Sequence, residues 1–189
     1  MSIATDFREE ELEALEQYRK GLTPAPLIYR ATSSKVELKG RGVFQFVASE
    51  ESEDRLGDVI LTAGWQYDNF KKNPVFLYLH DQTFPPLGTV PEVEPMEKQL
   101  WTTVNFDMED EFAAFIAGKY ERRIMRAVSV GFKALEYEER LADRGGKKTS
   151  GILFKKAELV ELSAVPVPAH PNALRRALGT RSHFWIPFA

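Results

Sequence analysis

The chain has 189 residues, 25 of them basic and 28 acidic, for a net charge of −3. At 43% hydrophobic and 28% charged residues it is a globular chain, long enough for one domain with a real core and too short for two ordinary ones. It has no cysteine, which excludes disulfides, thiolate metal sites and a cysteine nucleophile. Its mild acidity argues against a general nucleic-acid binder.

Residues 5–20 are predicted to form a helix, capped by Thr5 or Asp6, with Leu12, Leu15, Tyr18 and Leu22 as its apolar stripe. The acidic run Glu9-Glu10-Glu11 is expected on a solvated face, with docking on a partner as the alternative. Gly21 ends the helix, and Thr23-Pro24-Ala25-Pro26 is a breaker and linker. Short β-branched and aromatic runs follow over 27–31, 43–48, 59–61, 75–80, 87–93 and 100–106. Residues 107–123 are predicted to form a second helix, burying Phe112, Phe115, Ile116 and Tyr120. Strands are expected again over 126–137, 152–154 and 158–167, with a polar Gly-Gly turn at 143–150. A short helix is expected over 171–178, opening on Pro171 and stopping before Gly179.

The predicted organisation is an N-terminal helix and linker over 1–26, one domain over 27–178 and an aromatic tail over 179–189. The fold class is α+β: mostly β, a closed or curled antiparallel barrel surrounded by a few helices, rather than a βαβ fold. No run approaches the roughly 18 apolar residues of a membrane span, and the N-terminus has no basic-then-apolar leader. The expectation is a soluble protein of a reducing compartment, without membrane or nucleic-acid partners.

Standard catalytic motifs are absent. His80, His170 and His183 form no H-x-x-x-H pair, and there is no G-x-S-x-G elbow and no phosphate loop. No cofactor and no metal are expected. Three strings remain. Asn73 to Asp81 sets His80 at the end of an apolar strand, where a general base can be held rigidly and still reach solvent. Arg126 to Phe132 sets Ser129 inside an apolar strand, with Gly131 allowing close approach. Taken singly, such a histidine is ordinarily a half-buried hydrogen-bonder, and such a serine ordinarily packs against a carbonyl. The third string, Ala157 to Pro171, puts Glu161 between apolar neighbours, where a carboxylate needs a partner. The candidates are an arginine (Arg122, Arg123 or Arg126) or His80.

In this order the strings resemble the tailed-phage prohead maturation proteases, serine proteases related to the herpesvirus assemblins. The resemblance runs from Gly57-Asp58 through Asn73-Pro74 and His80, then Ile124 to Phe132, then Leu159 to Val165, and closes on Pro168-Ala169-His170-Pro171-Asn172-Ala173. It implies a β-barrel wrapped by helices and a serine endopeptidase of capsid maturation. Such an enzyme acts inside the assembling prohead, in the host cytoplasm, cleaving the scaffold segment, the major capsid protein and itself. A homodimer is implied by analogy with the viral relatives. Ser129 carries over as nucleophile and His80 as general base. Glu161 is the first choice for the orienting acid, His170 the second and Glu158 the third; the family more often has Asn where this chain has His170.

The chemistry is self-consistent: Ser129 attacks, His80 takes and returns the proton, and Glu161 fixes the imidazole. Backbone N–H groups must hold the oxyanion, with Val130-Gly131 as a candidate. Two other readings stand beside it. One is a catalytically silent capsid-assembly component of the same fold, favoured if Ser129 and His80 lie far apart. The other is a metal- or carboxylate-dependent hydrolase built on Asp58 and Asp81.

Overall fold

A computed structural model describes residues 3–33, 36–54, 56–144 and 147–166. His170, His183, the helix expected over 171–178 and the tail lie outside the described residues. In chain order the elements are α1 (Ile3–Arg19), β1 (Leu27–Ser33), β2 (Val36–Gly40), β3 (Val43–Glu50), β4 (Val59–Ile60), β5 (Trp65–Gln66), β6 (Val75–Tyr78), β7 (Gly88–Met96), β8 (Gln99–Phe106), α2 (Glu111–Glu121), β9 (Ala127–Arg144) and β10 (Lys147–Val165).

The protein is mostly β, with two helices among the described residues, and its strands form a single sheet in the order β1-β9-β10-β6-β7-β8-β3-β2. The sheet curls into a half-barrel whose end strands, β1 and β2, do not pair with each other. The antiparallel expectation needs one correction: β10 runs parallel to β4, β5 and β6. The chain between β3 and β6 is laid in short pieces along one side of β10, and β9 covers the other side. This makes β10 the spine of the sheet.

β9 and β10 pair as two long antiparallel strands rather than the broken strands expected. Register shifts near Lys156 and between Leu159 and Glu161 interrupt the two-residue alternation without ending the strand. β2 was not expected because it is an edge strand with Leu38 exposed, so its apolar residues carry no burial pattern.

The aromatic core gathers Phe44, Phe46, Phe76, Phe106 and Tyr120 from both halves of the sheet and from α2. In α2, Asp110 caps the first turn, accepting from the Ala113 N–H at 2.7 Å. The buried stripe is Ala113, Ile116, Ala117 and Tyr120, at helical spacing. The expected Phe115 is exposed under the Lys119 ammonium, and Phe112 is only half-buried, against Tyr78 and Phe84. The alanines let the helix lie closer to the sheet than a phenylalanine stripe would.

α1 packs on the sheet through buried Leu15, whose carbonyl accepts from the Tyr137 hydroxyl, while Leu22 lies past the helix end and is exposed. Glu11 of the acidic run binds Arg8 and Arg30 rather than facing only solvent. Arg30 and Arg8 in turn hold Asp58, which also accepts from the Ile152 N–H at 2.8 Å.

Candidate active site

Where β1, β9 and β10 lie side by side, two alternate rungs of the ladder, successive on one face, collect the polar residues. On the first rung Tyr29 faces Gly131, and Gly131 faces Glu161. On the next, Ala31 faces Ser129, Ser129 faces Ser163, and Ser163 faces Leu77 of β6. Residues opposite one another in a ladder share a face, and so do residues two apart on one strand. A side chain at Gly131 would meet Glu161 Cγ at 2.6 Å and Tyr29 Cε1 at 2.9 Å. Glycine is therefore required here, and its missing Cβ is the space in which Tyr29 and Glu161 converge. Ser129 follows on the same face, about 7 Å along the strand.

His80 is delivered to this face by a backbone feature that the sequence did not reveal. The expected strand over 75–80 ends at Tyr78, and Leu79 and His80 both adopt left-handed conformations, with φ of 55° and 62°. Such angles are disfavoured for residues with a Cβ and persist only when the surroundings over-determine them. Here the Leu79 N–H donates to the Ala164 carbonyl at 3.1 Å, and the Asp81 N–H to the Tyr78 carbonyl at 3.0 Å. Asp81 accepts from the Thr83 N–H and hydroxyl and locks the turn.

The turn lays the imidazole against the Tyr29 ring, with centroids 4.3 Å apart, and hydrogen-bonds His80 Nδ1 to Glu161 Oε1. Gln82 donates to the second oxygen, Oε2, at 3.2 Å. Glu161 is thus buried with both oxygens engaged, one by the histidine and one by an amide. An ionised carboxylate only accepts, so it keeps the imidazole proton on Nδ1 and leaves Nε2 as the basic nitrogen. Burial, and then the charge of Glu161, push the Tyr29 phenol up to about 12, so it stays a neutral hydroxyl at physiological pH. Ser129 is 2% exposed. Among the described residues no hydrogen bond joins it to His80.

The structure therefore brings His80 and Glu161 into contact and sets Ser129 on the same face. Glu158 goes elsewhere, binding Asn69 at 2.8 Å and Lys133 at 3.6 Å. Arg122, Arg123 and Arg126, the alternative partners of Glu161, are exposed. Asp58 gives its oxygens to Arg8, Arg30 and a backbone N–H, and Asp81 gives its own to Thr83, so neither is placed to serve a shared hydrolytic site. The Val130-Gly131 backbone lies between β1 and β10, where ladder N–H groups point in the plane of the sheet rather than out of its face. It is poorly aimed at an oxyanion above Ser129. Sequence reading missed Tyr29, Gln82 and Ser163. Ser163 was visible as the last-strand serine two residues after Glu161, without a role of its own, and Gln82 only as a neighbour of His80.

A buried strand serine, with a histidine tethered to a carboxylate on the same sheet face, is the side-chain equipment of a serine hydrolase. A family model described as caudovirus prohead serine protease matches residues 43–182, and the chain belongs to that family. It is 29% identical over 130 residues to the prohead protease of Escherichia phage T5, a match covering 67% of this chain and 58% of that protein. It is 30% identical over 139 residues to a capsid polyprotein of Pseudomonas phage PAJU2, covering 67% of this chain and 18% of the relative. The chain thus spans less than two thirds of the length of either relative. No solved structure matches it.

Proposed function

We propose that this chain is a serine endopeptidase of capsid maturation, with Ser129 as nucleophile, His80 as general base and acid, and Glu161 as the orienting acid. The observation that carries this reading is the His80–Glu161 hydrogen bond, made on the sheet face that bears Ser129. Family membership and a relative named prohead protease support the peptidase chemistry, and a relative named capsid polyprotein supports the capsid protein as substrate.

In this mechanism Ser129 Oγ bonds to the scissile carbonyl carbon as its proton passes to His80 Nε2. The resulting imidazolium is stabilised by Glu161 through Nδ1. Collapse of the tetrahedral intermediate breaks the C–N bond, and the leaving amine takes the proton from Nε2. Water, deprotonated by the same nitrogen, then releases the acyl group.

The test is intact mass over time for the wild-type chain and for Ser129→Ala, each co-expressed with its neighbouring capsid protein. Fragments are expected with wild type only, with turnover reduced on the order of 10⁴–10⁶-fold in the variant. Cleavage retained by Ser129→Ala rules out the assignment. Intact masses in both, despite assembled shells, favour a silent assembly component.

A further inference from the structure

Ser163 stands directly across the ladder from Ser129, on the same face and two residues along β10 from Glu161, the partner of His80. Its side chain is fully buried, and its hydroxyl has no hydrogen-bond partner among the described residues. Isolated buried hydroxyls are costly, and nearly all find a partner in native proteins. A strand needing only a small residue here would be served by alanine, as at neighbouring Ala164 and Ala157, both completely buried. The hydroxyl is therefore kept at a cost in the resting protein, beside the one serine placed to attack a carbonyl.

Resting on the reading of Ser129 as nucleophile, we propose that the Ser163 hydroxyl is an oxyanion donor. It is unpartnered among the described residues because its acceptor arrives with the reaction. When Ser129 Oγ bonds to the scissile carbonyl carbon, the carbonyl π electrons move onto oxygen, which then sits next to Oγ. Directly opposed residues in an antiparallel ladder hold their Cβ atoms about 5 Å apart, so a serine across the rung reaches an oxygen bound at that carbon. The Ser163 O–H donates to that oxygen, and the donation ends when the carbonyl reforms. A donor with no partner in the ground state and one in the transition state lowers the barrier without tightening substrate binding. It supplies from the face of the sheet what the in-plane N–H groups of Val130 and Gly131 do not.

The experiment uses the full chain and a fluorophore-tagged fluorophosphonate. Ser129 Oγ bonds to phosphorus, fluoride leaves, the serine proton goes to His80, and charge gathers on the phosphonyl oxygen. Labelling over a range of probe concentrations separates the maximal rate from the half-saturating concentration, and thermal melts report the fold. Ser163→Ala is expected to lower the maximal rate about 100-fold, leave half-saturation unchanged and melt no lower than wild type. Ser163→Thr, which keeps the hydroxyl, is expected to stay within about 10-fold of wild type. A maximal rate for Ser163→Ala within about 3-fold of wild type overturns the proposal while the nucleophile assignment stands. So does a Ser163→Thr variant, folded as wild type, that is as slow as Ser163→Ala, since packing is then responsible. Labelling that survives in Ser129→Ala overturns both.

Discussion

Two buried polar clusters lie on opposite faces of the same strands, and neighbouring residues of β1 belong to different ones. Arg30 points to the core side, where Arg8, Glu11, Asp54 and Asp58 surround it. Tyr29 points to the other side, toward His80, Glu161 and the serine pair. The first cluster is charge-paired: each oxygen of buried Asp58 accepts from an arginine, Arg30 Nε lies 3.0 Å from Asp54, and α1 is clamped to the sheet. The second is half-open: Glu161 is fully engaged, but among the described residues Ser163 has no partner and the imidazole keeps one nitrogen in reserve. Paired charges are what a stabilising cluster needs. Groups held in place and left uncommitted are what a reaction needs.

Beyond the loss expected for Ser129→Ala, the largest effect separating the two faces is at Glu161. Glu161→Gln keeps the shape but offers His80 an amide that can donate, which stabilises the wrong imidazole tautomer. Maximal fluorophosphonate labelling is expected to fall about 10⁴-fold with the fold retained. Loss of the thermal transition instead would place Glu161 with the structural cluster.

The mirror experiment is Asp58→Ala. It leaves Arg30 buried with fewer counter-charges and frees the Ile152 N–H. Removing one partner from a buried ion pair costs 3–5 kcal/mol, and the low end, about 3 kcal/mol, is expected because Glu11 and Asp54 still face Arg30. Urea unfolding gives the stability, and labelling per folded molecule is expected to be unchanged. A rate loss larger than the folded fraction explains would join the two clusters into one functional unit.

Much of this was legible in the sequence, for reasons specific to each part. Both helices and most strands follow from periodicity, because alternation and helical spacing are local properties. The need of Glu161 for a partner followed from its apolar flanks, and Gly131 was noted beside Ser129 as a place of close approach. What stayed hidden depends on chain folding back on itself. The parallel course of β10 beside β6 carries the His80 turn to Glu161, and no local pattern encodes it. The left-handed pair at Leu79 and His80 has no glycine to announce it. Bulges in β10 disguised one strand as two. Ser163 became notable only when the ladder set it opposite Ser129 and left its hydroxyl alone.

The smallest expected effect is the acid sensitivity of the charge-paired cluster. Burial alone would raise the Asp58 carboxyl, but Arg8 and Arg30 outweigh it and hold the group below its ordinary value of 3.8. A carboxylate depressed in the folded state contributes its full stability above its unfolded value, about 3.9, and loses it as pH falls through the lower folded value. Asp54 beside it goes the other way: burial outweighs Arg30 and raises its carboxyl, so protonation there favours the fold. The two partly cancel in a melt of the wild type alone, and the informative quantity is the gap between wild type and Asp58→Ala. That gap is expected to be full above about pH 5 and to narrow from about pH 4 downward, as the carboxyl that distinguishes the two proteins is neutralised. Urea titrations at half-unit steps from pH 3 to 7 measure it. A gap constant across that range would mean that Asp58 stabilises α1 and β1 through packing and its hydrogen bond to Ile152 rather than through its charge.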